Sequence, residues 1–594
     1  MEMPVFNSRD SIYRNPTGAI EAGQNVHFKI CLPRDIGCSH ALLCIRYDKQ
    51  VNEDRFGMFW CGMEGSGHEW WECDFCDTDI GLYWYRFEII TNIGTLTITK
   101  GESGKGILGH GGASWQLTVY EQNCKKTFLQ GGIMYQIFPD RFNKSDKNKI
   151  DVPSERVMHQ SLNEEVFWDY NSNGKITNSD YFGGDLCGIT QKLPYLKALG
   201  VTCIYLNPIF EAHSNHRYDT ADYHKIDPLL GDEDDFKTLC REAKKLKISV
   251  IIDGVFSHTG ADSIYFNKYG RYGQNGAYQS QSSPYCHWYT FKNYPNEYTS
   301  WWGFENLPEV NEESEAFTDF ICSQNGVVRK WIRAGAMGFR LDVADELPDG
   351  FLRSLYKAVK SENDSAVVLG EVWEDATNKV SYGKRRGFLL GNQMDSVMNY
   401  PFRDAMLLFA KGDAQKAAEI IENILENYPS HIIHSLMNHV GTHDTERILT
   451  MLAGEPLEGR PRKWQAFEHL SEDSYKKGVK LLKVISVMQY TLPGVPCIYY
   501  GDEIGMQGYR DPFNRRFFEW ENKNEELLKH YEFLAGVRKN SVLKDGDFKV
   551  LYAKDGLIVY ERTKQKKSLT VILNCSEHEE IYNNEVIKPY SWKL

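Results

Sequence analysis

Gly338-Phe-Arg-Leu-Asp-Val-Ala-Asp-Glu346 reads as a short strand running out into a loop, directly after an amphipathic helix predicted over residues 327–336. Arg340 and Asp342 are two residues apart, so on a strand they share a face. A guanidinium beside a carboxylate holds it ionised and fixed in direction, which suits a nucleophile. Arg-x-Asp is more often a structural ion pair. It gains weight here from the strands and loops around it.

Outward from this stretch, the chain alternates strands and helices from about residue 130. Strands are predicted at 133–138, 201–206, 248–253, 337–341, 366–371, 395–398, 432–438 and 495–500. Leu186, Ile189, Leu193, Leu196 and Leu199 mark one helix face ending at Gly200, and further helices are predicted over 235–247, 414–427 and 475–490. Eight strands alternating with helices predict an α/β fold, a (β/α)8 barrel. Residues 259–311, rich in Tyr, Trp and Gly, interrupt the alternation after the third strand and predict an inserted subdomain over the barrel mouth. Residues 1–125 read instead as an all-β sandwich, with strands at 26–31, 41–47, 83–90, 95–100 and 115–120. That segment is either a carbohydrate-binding or interface module or a packing appendage. The barrel is expected over 126–543, and residues 544–594 return to strands (548–552, 557–562, 568–574) as a small C-terminal β domain.

Composition narrows the partners. A chain of 594 residues has ample core for several domains. Its net charge of -13 argues against nucleic acid or an anionic membrane as partner. No stretch reaches the ~18 apolar residues of a membrane helix, and residues 1–20 carry charges throughout, unlike a signal peptide. The 14 cysteines are scattered; Cys203, Cys240 and Cys497 fall on apolar faces, and Cys73-Asp-Phe-Cys76 has no second pair to complete a zinc site. Together these point to the cytoplasm. Aromatic residues at 13% fit either buried core or sugar-stacking surfaces.

In such a barrel the functional residues sit at the C-terminal ends of the strands. Those ends give Asp253 to His258 after the third strand, Arg340 and Asp342 after the fourth, Glu371 after the fifth and His443-Asp444 after the seventh. Crowded carboxylates push one pKa upward, leaving a protonated acid beside an ionised base. Glycosidic bond cleavage needs that pair.

These blocks resemble the α-amylase family, glycoside hydrolase family 13, over nearly the whole chain. The matching blocks, in the family's order, are Asp253–His258, Gly338–Glu346, Glu371-Val-Trp-Glu374 and Gly441-Thr-His-Asp444, supported by Asn215-His-Arg-Tyr-Asp219 and Gly494-Val-Pro-Cys-Ile-Tyr-Tyr-Gly501. The resemblance implies Asp342 as nucleophile, Glu371 as acid and base, and Asp444 as the group that binds the sugar's 2- and 3-hydroxyls. It also implies that His258, Arg340 and His443 hydrogen-bond the sugar, that Tyr218 stacks beneath it, and that Asp253 braces the site. Leu307-Pro-Glu-Val-Asn311 and Asp511-Pro-Phe-Asn-Arg-Arg516 are similar to the neopullulanase, cyclomaltodextrinase and maltogenic amylase group. There Asp511 and Arg515 would contact sugars beyond the cleavage point and Trp373 would border the leaving group. Ser257 stands where the family usually has Asn, Asp345 where the group has Asn, and Phe339 where it has Trp. The resemblance thus implies a retaining hydrolase of α-glucan oligosaccharides or polysaccharides, with α-1,4 and α-1,6 preference open, and a homodimer in which the N-terminal domain takes part. Amylopullulanases, ordinary α-amylases and glycosyltransferring relatives remain alternatives.

One motif bears on a cofactor. Asp169, Asn171, Asn173 and Lys175 alternate, Gly174 sits at the turn, and Asp180 falls at the twelfth position, the spacing of a calcium loop. A polar Asn/Gly loop has the same composition. Family members often bind calcium near this point, and Gly184-Asp185 follows directly, so a structural calcium is expected.

Overall fold

Eight parallel strands close into the barrel: β1 (Met134–Ile137), β2 (Cys203–Leu206), β3 (Ser249–Gly254), β4 (Gly338–Leu341), β5 (Val367–Gly370), β6 (Ser396–Val397), β7 (Met437–His439) and β8 (Val495–Tyr499). The sheet runs β6-β5-β4-β3-β2-β1-β8-β7, and a parallel bridge between Met398 and Met437 joins its ends. Met134 of β1 lies opposite Cys203 on one side and Cys497 on the other. Those side chains, with Tyr205, Ile251, Val367, Leu369, Met437 and Val495, form one buried cluster. The structure is a computed structural model that describes residues 3–147, 155–171, 174 and 176–594.

Two expected elements differ. The helix expected over 186–200 is two helices, Leu186–Gln191 and Leu193–Ala198. Pro194 lacks the N–H that would continue the first into the second. The strand expected over 432–438 begins as the helical turn Ser430–Ile433, whose Ile432 and Ile433 N–H groups both donate to the Pro429 carbonyl. Only Met437–His439 is extended. The helix Val327–Ala334 before β4 ends at Gly335, whose φ of 122° suits glycine. The helix Glu233–Lys245 carries a capping box between Asp232 and Asp235.

The chain clusters into two compact units, one of residues 1–126, 374–393 and 416–433, the other of the remainder. In the first, a ten-stranded sheet encloses a core that includes Phe6, Phe28, Tyr85, Phe87 and Trp115. The strand Asp54–Glu64, which the sequence did not suggest, pairs with Cys38–Tyr47 and with His68–Phe75 and so joins the two faces of the sandwich. Arg9 gathers Glu419, Glu422 and Glu426 of the helix Ala414–Asn427. The second unit holds the barrel, the insertion and a four-stranded antiparallel sheet of Asp547–Lys554, Leu557–Lys564, Lys567–Asn574 and Ser591–Lys593. Bridges His258–Glu309, Tyr289–Val310 and Ser300–Pro308 fasten the base of the insertion. All fourteen cysteines are free thiols, and among the described residues no helix is long and apolar enough to cross a membrane.

Candidate active site

Arg340, at the end of β4, is fully buried and organises the site. Its Nη1 donates to Asp253 Oδ1 (3.0 Å) and Asp342 Oδ1 (2.8 Å). Its Nη2 lies 2.7 Å from Glu371 Oε2 but outside hydrogen-bond alignment. One guanidinium therefore touches carboxylates from three successive strand ends. The chain turns sharply after Asp342: Val343 has a φ of 38°, a strained conformation for a β-branched residue. That turn aims its N–H at Glu371 Oε2, 2.9 Å away. The other oxygen, Oε1, accepts from the Trp373 indole N–H at 3.1 Å. Trp373 is 45% exposed and stacks on Tyr400 with centroids 3.9 Å apart.

A second layer holds the histidines. Gln136, in β1, donates from Nε2 to Asn207 Oδ1 (3.0 Å) and faces His443 Nδ1 (2.9 Å). The other imidazole nitrogen, Nε2, lies 2.5 Å from the Tyr218 hydroxyl and 3.1 Å from Asp444 Oδ2. With an amide N–H on Nδ1 and a carboxylate near Nε2, the consistent tautomer carries its proton on Nε2. Burial, then Arg515 and Arg340, hold His443 well below its usual range, so it is neutral. Its ring stacks on Tyr218 at 5.4 Å and 5°. The Tyr218 hydroxyl donates to Asp253 Oδ2 (2.9 Å), as does that of Tyr205 (2.7 Å). Asp253 is thus occupied by Arg340 and two tyrosines and is buried, the place of a brace.

His258 is pushed down to about 4 by burial. Its nitrogens face Ser257 Oγ (3.0 Å) and the Tyr218 carbonyl (3.1 Å), so Ser257 orients the ring and His258 steadies the loop carrying Tyr218. Arg515 reaches Asp511 Oδ1 (3.0 Å) and Asp444 Oδ1 (3.5 Å), and its Nε donates to the His443 carbonyl (3.0 Å). Asp444 keeps 33% of its side chain open, enough to meet a ligand.

The charge balance departs from the expectation that Arg340 simply holds Asp342 ionised. Burial raises Asp342 well above the usual carboxylate range, against the pull of Arg340, and the charges of Glu371 and Asp253 add to the rise. Burial likewise raises Asp253. Asp444 is pushed up to about 7 by burial and then by Glu371, against Arg515 and Arg340. Two guanidiniums cannot neutralise five neighbouring carboxylates, so the cluster retains a proton at neutral pH.

The structure brings Asp342, Glu371, Asp444, Arg340, Tyr218, His443 and Arg515 into one connected network, with Trp373, His258 and Asp511 each tied to a member of it. Sequence reasoning missed several residues of the site. Gln136 and Tyr205 were absorbed into apolar strands, although a glutamine inside such a strand is itself a signal. Trp301 and Trp302 of the insertion both donate their indole N–H to Glu346, at 2.7 and 2.8 Å. Trp302 is 77% exposed. Trp301 lies against His258, 5.1 Å between centroids.

The proposed calcium loop fits a cation poorly in its described part. Asp180 is buried and its carboxylate is occupied by His159 Nε2 (3.0 Å), Asn215 Nδ2 (2.8 Å), the Phe167 N–H (3.2 Å) and Arg141 Nη2 (3.4 Å). Burial would raise Asp180, but Arg141 and His159 bring it down to about 2. Asp185 caps the helix Leu186–Gln191 through the Gly188 N–H and accepts from Ser145 Oγ, while the Gly184 N–H donates to the Asp140 carbonyl. Asp169 accepts from the Tyr170 N–H, and the Asn171 carbonyl from the Gly174 N–H. Asn173 and Lys175 lie outside the described residues.

Three comparisons bear on this geometry. A family profile described as "Alpha amylase, catalytic domain" matches residues 136–592. An amylopullulanase of Thermoanaerobacter thermohydrosulfuricus is 36% identical over 94% of this chain and 40% of its own length. A cyclomaltodextrinase of Thermoanaerobacter pseudethanolicus is 35% identical over 76% of this chain and 72% of its own. Among solved structures, the type III pullulan hydrolase of Thermococcus kodakarensis superposes with a TM-score of 0.67 at 26% identity, covering 99% of each chain. The chain spans less than half the length of the amylopullulanases it matches.

Proposed function

The chain belongs to the α-amylase family, and on that premise we propose that it is a retaining hydrolase of soluble α-glucans, namely maltodextrins, cyclodextrins and pullulan, with the α-1,4 bond as its main target. The observation that carries this is the placement of Asp342 and Glu371 on the two terminal nitrogens of one guanidinium. Contact with one guanidinium sets the two carboxylates side by side, as the nucleophile and the acid of a retaining pair must be.

In this reading Asp342 attacks the anomeric carbon while Glu371 protonates the leaving oxygen. A glycosyl ester forms on Asp342, and Glu371 then takes a proton from the water that hydrolyses it. Attack requires Asp342 ionised, and the aligned Arg340 Nη1–H bond to Asp342 Oδ1 stabilises that form against the burial that opposes it. Asp444 and the Nε2–H of His443 bind hydroxyls of the sugar at the cleavage point, and Tyr218 offers its ring beneath it. Asp511 and Arg515 contact sugars on the far side. Trp373, Trp301 and Trp302 supply stacking surfaces, Trp373 toward the leaving group. The described calcium loop enters no step. The free thiols support a cytoplasmic setting.

A second reading, glycosyl transfer, is favoured by one observation: the exposed indoles of Trp302 and Trp373 offer stacking surface to an incoming sugar. Incubation with maltohexaose, β-cyclodextrin, pullulan and soluble starch, with chromatography of products, tests both readings. Panose from pullulan supports α-1,4 cleavage, whereas maltotriose places the attack on α-1,6 bonds. Products longer than the substrate mark transfer. Starch cut rapidly to long oligosaccharides, with cyclodextrin and pullulan untouched, would refute the proposed preference.

A further inference from the structure

A second aromatic feature lies outside the catalytic network. Trp168 meets Phe467, the last residue of the short helix Arg462–Phe467, edge to face, with centroids 6.0 Å apart and planes at 84°. Phe467 is 69% exposed and neighbouring Tyr170 is 61% exposed. The corner has a firm backing. Trp168 packs on Phe513 (6.4 Å) in a cluster with Val166, Ala466 and Tyr509. The Arg462 guanidinium, which lies over the Phe513 ring, donates from Nε to the Trp168 carbonyl (3.0 Å) and from Nη1 to the Asp511 carbonyl (3.3 Å). Asp511 pairs with Arg515, and Arg515 with Asp444. The corner is therefore tied through two arginines to the edge of the catalytic site.

Trp168 is half-buried against that cluster, so Phe467 supplies the open ring face, and an open ring with a firm backing suits a particular ligand. A pyranose has an apolar C–H face and a rim of hydroxyls. The open Phe467 ring can cover that face while the perpendicular Trp168 bounds one edge of it. A protein partner fits less well. The rings offer on the order of 150–250 Å2 each, well short of the roughly 800 Å2 that each partner buries in a stable interface.

We propose that the Trp168–Phe467 corner is an auxiliary α-glucan-binding surface, which holds a segment of polymer beside Asp511 while the catalytic site works on another segment or on a neighbouring chain. It rests on the reading of this chain as an α-glucan hydrolase, and it predicts that polymers gain affinity from the corner whereas short oligosaccharides do not. Two weak contacts on one chain reinforce each other by effective concentration, so a modest stacking site matters only for a ligand long enough to reach both.

The test uses Phe467→Ala and Trp168→Ala, each in the full chain. Binding is measured in an Asp342→Asn background, which removes hydrolysis, by retardation in native gels containing pullulan and by titration with maltotriose. We expect the apparent Kd for pullulan to rise roughly fivefold in either variant, and the Kd for maltotriose to stay within about twofold. In the otherwise wild-type chain, KM for pullulan should rise while kcat on maltotriose is unchanged. Phe467 is the safer probe, because an exposed ring leaves no cavity when removed. Pullulan retardation and KM that are both indifferent to Phe467→Ala would overturn the proposal and leave the catalytic reading intact. Pullulan retardation that depends on Phe467 in a protein that hydrolyses no α-glucan would uphold the binding surface and overturn the catalytic reading. Loss of self-association in Phe467→Ala, with pullulan binding unchanged, would make the corner a contact between copies and also overturn the proposal.

Discussion

Gln136→Ala tests whether the second layer matters to catalysis or only to packing. The glutamine is fully buried and its amide nitrogen serves both Asn207 Oδ1 and His443 Nδ1. Truncation leaves those two buried acceptors without their donor, and each such loss costs about 1–3 kcal/mol. Global stability should fall by that order. The informative part is what reaches the transition state. If His443 donates from Nε2 to the sugar, a loosened imidazole forfeits part of that contact, and 1–3 kcal/mol corresponds to roughly 5- to 150-fold in kcat/KM. The assay is kcat/KM on maltotriose beside thermal unfolding of the same preparation. Gln136→Glu sharpens it. A carboxylate beside Nδ1 would draw the proton to that nitrogen and strip Nε2 of its donor, and would raise a His443 that burial now holds neutral. Its activity should therefore fall below that of the alanine variant at high pH, where the neutral ring carries its proton on Nδ1, and recover in part at lower pH, where protonation restores the Nε2–H. A lower Tm with kcat/KM unchanged in Gln136→Ala would refute the reasoning and reduce Gln136 to a packing residue.

Further outcomes follow from the same geometry. Asp342→Asn and Glu371→Gln should each lower kcat on maltotriose by at least ~10³ without unfolding, since each removes a group used in the transition state; a variant keeping a tenth of the wild-type rate would end that assignment. Asp444 is an acid whose folded-state pKa is raised to about 7. Its contribution to stability is full below its unfolded pKa and is lost as pH rises through about 7. The Tm of Asp444→Asn relative to wild type should accordingly improve from pH 4 to pH 8, and a flat difference would contradict the shift. Asp180→Asn should lower Tm at any calcium concentration, because it removes one of the two carboxylates that hold each of buried Arg141 and His159; Asp140 and Glu164 remain, so the cost stays below the roughly 3–5 kcal/mol of a buried charge left unpaired. A loss reproduced in the wild type by chelator alone, and reversed by calcium, would make Asp180 a metal ligand instead.

Much of this architecture was legible because strand ends announce themselves. Asp253, Arg340, Glu371 and Asp444 are polar residues where apolar strands stop, and a parallel barrel sends all such ends to one mouth. What stayed hidden depends on contacts distant in sequence. Nothing near Gln136 says that His443 lies 2.9 Å away across 307 positions. Nothing near Glu346 says that two tryptophans some forty-five residues earlier will share its carboxylate. Local composition misled at Ile432-Ile433, where β-branched residues read as strand but Pro429 supplies the carbonyl for a helical turn. The calcium spacing shows the same limit. It finds oxygen atoms at the right intervals and cannot see that Arg141, His159 and Asn215 have already taken those of Asp180.

The stereochemistry of the first product is the most direct measure of Asp342 as nucleophile and Glu371 as acid and base. Maltotriose or a cyclodextrin is mixed with enzyme, and the anomeric protons of the released sugar are followed by NMR before mutarotation. Two displacements at one carbon return the starting configuration, so the α anomer should appear first and the β anomer only at the rate of uncatalysed mutarotation. A β product formed first would mean a single displacement by water, and would contradict a covalent role for Asp342.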